Sequence, residues 1–264
     1  MKLLMIGDVV GTTGRQVLQQ TLPELKKTYQ PDVIVVNGEN SAPNGRGITQ
    51  AIVREYWDLG VHVITLGNHA WDQGEIFDFI DREKRIIRPA NFPVGTPGNG
   101  STTISTPKGK ITILNLIGRT FLGTFDCPFR KVDELLQKVP SSHYVFLDFH
   151  AEATAEKLSM GWYLDGKISA MVGTHTHVQT GDDRILPKGT GYLTDVGMVG
   201  AYDGILGMEK DAVIRRFLTQ LPVRFEVTQG RTQFNAVLFH FSPETKRTTK
   251  IQRIRIDDDK PWFS

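Results

Sequence analysis

Aspartate, glutamate, asparagine and histidine recur in this chain at the ends of short apolar runs: Gly7-Asp8, Gly38-Glu39-Asn40, Gly67-Asn68-His69, Phe149-His150 and Gly173-Thr174-His175-Thr176-His177. Carboxylate, amide and imidazole donors without a thiolate suit iron or manganese better than a structural zinc. Two such ions held together would clamp the attacking and leaving oxygens of an in-line displacement and lower the pKa of bound water to roughly 7. The chemistry this predicts is phosphoester hydrolysis.

The elements must then bring distant residues to one place. The runs Lys2–Gly7, Asp32–Gly38, Val61–Gly67, Tyr144–Phe149 and Ile168–Gly173 are short, rich in Val, Ile and Leu, and often end on glycine, as buried parallel strands do. Their C-terminal ends are expected to line one edge of a sheet, where open α/β folds bind ligands. Helical spacing of apolar residues covers Arg15–Tyr29 and Thr49–Leu59, and helices are also expected at Asp72–Arg82, Arg130–Gln137 and Lys210–Leu218. Thr102–Ser105 and Lys110–Ile117 flank a Pro107-Lys108-Gly109 turn and read as a hairpin; strands are expected near Arg224–Val227, Phe234–Phe241 and Ile251–Ile256. The segments 181–183, 187–191 and 197–207 read as loops, the last as a pocket rim or an oligomer contact. Together these predict an α/β fold with two sheets face to face and helices outside, in one domain over residues 1–264.

Each motif also has an ordinary explanation. An Asp after a strand commonly caps a helix, Asn-His after Gly can be a plain turn, and His150 could be a buried core histidine. Gly7, Gly11 and Gly14 suggest a dinucleotide-binding turn, but the spacing G-x-x-x-G-x-x-G lacks the close first pair that lets a backbone approach pyrophosphate. His175 and His177, two apart, would project to one face of an extended strand. Repetition at successive strand ends is what favours a metal site.

These blocks resemble those of the calcineurin-like metallophosphoesterases, which run Asp-x-His, Gly-Asp, Gly-Asn-His, a lone His and Gly-His-x-His. The resemblance is closest to the YmdB-like branch, supported by Asn37-Gly38-Glu39-Asn40, Arg88-Pro89-Ala90-Asn91-Phe92-Pro93, Asp148–Thr154 and Asp195-Val196-Gly197-Met198. Val10 replaces a usual ligand histidine and Glu39 a usual bridging aspartate, as in that branch. The resemblance implies a four-layer α/β/β/α sandwich of two mixed sheets with a dinuclear site at strand C-terminal ends. One ion falls to Asp8, Glu39, Asn40 and His177, the other to Glu39, Asn68, His150 and His175. Iron is the favoured metal, with two ions per chain and manganese as a substitute. The implied activity is hydrolysis of small cyclic nucleotides, with 2′,3′-cyclic nucleotides foremost, by a metal-bridging hydroxide with His69 as proton donor; a reference imidazole pKa of about 6.5 suits that role. The alternatives are a phosphomonoesterase, a nuclease, or a nucleotide-sensing regulator.

Composition narrows the partners. A net charge of +2 gives no strong nucleic-acid signal, and the basic run around Lys246–Lys250 reads as a solvated face. Cys127 is the only cysteine, so no intrachain disulfide can form. No apolar run reaches the roughly 18 residues of a membrane span, and the N-terminus lacks a signal-peptide pattern. The expectation is a soluble cytoplasmic protein, open to homo-oligomerisation. Arg46, Arg119, Thr154 and Tyr202 lie in loops that could face a nucleotide, though loop packing explains each as well; His62, His143 and His240 read as ordinary residues.

Overall fold

The computed structural model describes residues 1–257 and 259. The apolar runs form strands, but in two sheets. The first sheet has eight strands: β1 (Lys2–Ile6), β2 (Asp8–Val9), β3 (Val33–Asn37), β4 (Val63–Thr65), β5 (Ile86–Ile87), β12 (Met198–Ala201), β13 (Thr232–Phe241) and β14 (Thr248–Asp257). The second has six: β6 (Ser101–Thr106), β7 (Gly109–Ile117), β8 (Tyr144–His150), β9 (Ala170–Thr174), β10 (Arg184–Ile185) and β11 (Gly191–Leu193). Their orders are β2-β12-β13-β1-β3-β4-β5, with β14 beside β13, and β10-β11-β9-β8-β7-β6. Both are mixed: β1, β3, β4 and β5 run parallel while β13 is antiparallel to β1, and β7, β8 and β9 run parallel while β6 returns antiparallel to β7.

Strand alternation explains the layering. Leu3, Met5, Val33, Val35 and Val63 face Ile111, Ile113, Tyr144, Phe146 and Val172 across the interior between the sheets. The intervening residues Leu4, Ile6, Ile34, Val36 and Ile64 face outward, onto apolar stripes of α1 (Gly11–Tyr29) and α2 (Gln50–Asp58). On the opposite side, Leu114, Leu116, Leu147 and Phe149 receive α3 (Pro128–Leu136) and α4 (Thr154–Leu164). The result is the expected four-layer sandwich. No helix among the described residues is long and apolar enough to cross a membrane.

Several local expectations need correction. The ligand-bearing strands do not share one sheet edge: β1, β3 and β4 belong to the first sheet, β8 and β9 to the second. The helix expected at Asp72–Arg82 is only a 3-10 turn over Gly74–Asp78, where Gly74 weakens nucleation and Gln73 O and Ile76 O accept i→i+3 bonds. Residues 224–227 form no strand; a single bridge joins Met208 to Val227. Conversely, parts of the expected loops at 187–191 and 197–207 supply β11 and β12. The pattern also concealed α4, whose buried face is written with Lys157, Met160, Gly161 and Leu164 and not with a continuous apolar stripe. α5 (Lys210–Thr219) lies close to its expected position but buries only Val213.

Candidate metal centre and its surroundings

At the C-terminal end of β1, Asp8 enters β2, which pairs with Met198 and Val199 of β12. Asp8 N–H donates to Gly197 O at 3.0 Å, so the side chain is fixed by a ladder and does not cap α1, whose cap residue is Val10. Asp8 is fully buried and its Oδ1 has no hydrogen-bond partner. Glu39 and Asn40 turn away from the end of β3, and Asn40 Oδ1 is likewise buried without a hydrogen-bond partner. Asn40 Nδ2 donates to Gly45 O at 2.9 Å, which commits its amide nitrogen and leaves the oxygen as the free acceptor.

His150 from β8 brings Nε2 to 3.0 Å from Glu39 Oε1 and 2.9 Å from Asn68 Oδ1. His175 Nδ1 stands 3.1 Å from the same His150 nitrogen. Glu39, His150 and His175 thus present ligand atoms all within 4.8 Å of one another, with Asn68 joining at His150. His177 completes the opposite side, its Nε2 at 3.9 Å from Asp8 Oδ1. Asp8 Oδ2 accepts from His175 N–H at 3.3 Å, and Asn40 lines the same cavity as Glu39, His175 and His177, so the residues meet across the edges of two sheets.

The surrounding groups orient these donors, as outer partners do around metal ligands. His150 Nδ1 meets Thr174 Oγ1 at 2.9 Å, and that hydroxyl donates to Asp148 at 2.8 Å. His175 Nε2 lies 3.0 Å from Glu152, while His177 Nδ1 lies 3.1 Å from Leu206 O. His175 and His177 do not lie on an extended strand. β9 ends at Thr174, and both residues have left-handed backbones, with φ of 99° and 64°. Such non-glycine conformations cost about 1–3 kcal/mol each and persist where surrounding contacts impose them. Here Thr176 between them is held through its N–H and hydroxyl by Asp195, whose carboxylate is paired at 2.7 Å with the buried ammonium of Lys157.

Electrostatics and space both leave room for cations. Burial pushes the Asp8 carboxyl well above the usual carboxylate range; His150 draws it down, but Asp195, Glu39 and Asp148 push it further up. Burial opposes both charges of the Glu39–His150 pair, yet their mutual attraction holds Glu39 low and His150 high. Burial and the adjacent His150 lower His175 to about 3, and burial lowers His177, so both imidazoles stay neutral and able to donate lone pairs. Gly67 explains the close approach of β4: a Cβ there would stand 2.4 Å from His150 Nε2 and 2.5 Å from Glu39 Oε2. The orphaned buried oxygens of Asp8 and Asn40, with the neutral imidazoles of His175 and His177, fit hard-to-intermediate cations.

His69 stays outside this cluster. Its backbone N–H donates to Glu39 Oε2 at 2.9 Å, and its Nδ1 meets Asp72 Oδ2 at 2.9 Å, which directs the other ring nitrogen away from Asp72. It lines a cavity of about 540 Å³ together with Glu39, Asn40, His175, His177 and Arg46. Arg119, Thr154 and Tyr202 do not line that cavity. Sequence reasoning missed Asp72 and Lys157, and gave no role to Glu152 and Asp195, which it quoted only within stretches that carry the family resemblance. Asp72 follows His69 by three residues and Glu152 follows His150 by two, a usable signal, whereas Lys157 and Asp195 meet only through tertiary packing.

A two-sheet sandwich with a carboxylate, amide and imidazole cluster between its sheet edges defines a metallophosphoesterase-type protein. The model of the family described as "YmdB-like protein" matches residues 4–254, and the chain belongs to that family. It is 52% identical to the 2′,3′-cyclic-nucleotide 2′-phosphodiesterase of Bacillus subtilis (strain 168) over 264 residues, covering 100% of both chains. Among solved structures, a hypothetical protein from Thermus thermophilus superposes with a TM-score of 0.92 at 39% identity, covering 97% of this chain and 99% of that one. A phosphatase from Mycoplasma pneumoniae also gives 0.92, at 35% identity, covering 97% and 93%.

Proposed function

We propose that this chain is a dinuclear metal-dependent phosphodiesterase that hydrolyses small cyclic nucleotides, opening 2′,3′-cyclic nucleotides at the 2′-oxygen. The observation that carries the reading is the gathering of Glu39, His150 and His175 ligand atoms within 4.8 Å of one another, with Asp8 and Asn40 each keeping a buried oxygen without a hydrogen-bond partner. The full-length similarity to the Bacillus enzyme supports the substrate class. Asp8, Glu39, Asn40 and His177 would hold one ion, and Glu39, Asn68, His150 and His175 the other, within a single domain. Iron is the preferred metal and manganese the substitute. When bound, the ions supply positive charge for the phosphoryl group and activate water at neutral pH.

The chain's own residues do the rest. Glu39 contributes the shared negative charge, and the N–H of His69 fixes its second oxygen. Asp72 sets the ring of His69, so that its free nitrogen can deliver a proton to the departing 2′-oxygen. Leu206, Phe217 and Phe225 give the cavity an apolar wall suited to a sugar and base. A cytoplasmic setting and a homo-oligomeric state belong to the same reading.

Elemental analysis paired with turnover on 2′,3′-cyclic AMP tests the proposal. About two transition-metal ions per chain and loss of activity on chelation are expected. Glu39→Gln should remove turnover and at least one ion, because a neutral amide cannot supply the bridging charge. A fully active protein carrying one ion or none would overturn the assignment.

A further inference from the structure

Beside the cavity over the metal ligands lies a second one of about 820 Å³, and the two share Arg46, Met208, Arg216 and Phe225 in their walls. The second contains none of the proposed metal ligands and no histidine. Its charges are Arg46, Arg216 and Arg224 against the single carboxylate of Glu226. We propose that this second cavity is a phosphate subsite, which takes a 5′-phosphate on the nucleotide whose ester is hydrolysed. The inference rests on the phosphodiesterase reading above and names its substrate class more closely.

The guanidiniums are available for a ligand. Among the described residues Arg46 has no carboxylate in ion-pair range, and Arg216 uses Nη1 on Leu221 O at 3.1 Å, leaving its other donors. Arg224 has only a loose contact with Glu226 at 3.9 Å, with both side chains mostly in water, so little is lost when a phosphate replaces it. Guanidinium forks match phosphate oxygens in geometry as well as charge.

The subsite is also tied to the reacting centre. Gly45 O, one residue before Arg46, accepts the amide hydrogen of Asn40, and Arg46 O accepts from Gln73 Nε2 at 2.8 Å. The opposite wall is seated by the Met208–Val227 bridge and by Glu209 N–H donating to Glu226 O at 2.9 Å. A mononucleoside 2′,3′-cyclic phosphate spends its only phosphate at the metal centre and offers no anion to this second volume. A nucleotide with a 5′-phosphate offers one a ribose away, either as a free monoester or as the diester at the cyclic end of a short RNA. Three arginines in a chain of net charge +2 suit one or two such phosphates and not a long strand.

The test uses the metal-loaded protein and compares kcat/KM for adenosine 2′,3′-cyclic phosphate, its 5′-monophosphate derivative, and a diadenosine ending in a 2′,3′-cyclic phosphate. In parallel, titration calorimetry compares binding of 3′-AMP and adenosine 3′,5′-bisphosphate. A 5′-phosphate is expected to raise kcat/KM by about tenfold or more, chiefly through KM, and to tighten product binding similarly, as charge-assisted hydrogen bonds do. Both ratios should fall several-fold in Arg224→Ala and approach one in the Arg216→Ala/Arg224→Ala double variant. Preference for the diadenosine would make the source an RNA end, and preference for the monoester a free nucleotide. Ratios near one in the unsubstituted protein, or ratios indifferent to the double substitution, would refute the subsite. If none of the three cyclic esters is hydrolysed while the arginine-dependent preference for the bisphosphate persists, the phosphodiesterase reading fails and the subsite stands.

Discussion

His69 and Gly67 stand two positions apart in one turn, yet they answer different questions about the site. His69 touches no proposed metal ligand atom except through its own backbone, and its ring faces the cavity while Asp72 holds Nδ1. His69→Ala should therefore retain metal while lowering turnover of a substrate with a poor leaving group by about 10²–10⁴-fold, the usual scale of general acid catalysis. Activated aryl esters, which need no proton on departure, should lose less. Equal losses on both substrates, or missing metal, would remove His69 from the role. Gly67→Ala acts the other way. Its Cβ would fall within 2.5 Å of atoms of both His150 and Glu39, so metal content should drop and turnover with it, even though no donor has been changed. Measured metal stoichiometry that matches the unsubstituted protein would show that the turn can yield.

The element that most needs support is the loop after β9. Its two left-handed histidines are held by Thr176, which hangs on Asp195, which in turn is neutralised by Lys157 from α4. Lys157 and Asp195 are almost wholly buried, with side chains 1% and 0% exposed. Removing one partner of such a pair leaves an uncompensated charge and typically costs about 3–5 kcal/mol. Lys157→Met should thus lower the unfolding free energy by that amount in a denaturant titration, and weaken metal retention at the His175 and His177 side. If stability falls but both ions remain tightly held, α4 supports the fold without setting the loop.

At the scale of the whole molecule, pH couples to folding through histidines that partial or full burial keeps neutral. His62 accepts a hydrogen bond from Ile34 N–H at 3.1 Å through Nδ1, which joins the end of α2 to the first sheet. Burial, with Arg85 and Lys26 nearby, lowers its folded-state pKa below the ordinary 6.5. The unfolded chain therefore takes up a proton near pH 6.5 that the folded chain refuses until lower pH. Stability at neutral pH is lost as pH falls through that window, and levels off once the folded-state pKa is passed. In chelator-treated protein, His175 and His177 add losses of the same sign, because their pKa values are lowered too. Asp8 and Asp148, whose carboxyls burial raises, take up protons in the folded chain over the same range and add stability as pH falls. The check on His62 is therefore a difference: between about pH 7 and 5 the change in melting temperature of the metal-free protein should be less negative, or more positive, in His62→Gln than in the unsubstituted chain. An unchanged slope in that variant would exclude His62 as a contributor.

Much of this protein can be read from local pattern. Strands β1, β3, β4, β8 and β9 declare themselves because a strand buried on both faces needs a continuous apolar run, and each run stops where a polar ligand begins. Helices α1 and α2 follow from a single apolar stripe, and the candidate donors are residue types suited to a divalent cation. Other features have no local signature. The division of the ligand strands between two sheets depends on which strands pair, and β13, over two hundred residues from β1, inserts beside it. The two-residue strand β2 exists only because Met198 and Val199 come to meet it. Helix α4 was hidden because its inward face uses Lys157 against Asp195 and Gly161 against the ring of Tyr192, contacts that only the folded chain creates. Sequence alone supplied the candidate donors and the strands that carry them, since both depend on residue type over a few positions. Tertiary structure decided their convergence, their orienting partners and the arginine-lined cavity beside them, because those depend on distances between segments that the chain brings together only on folding.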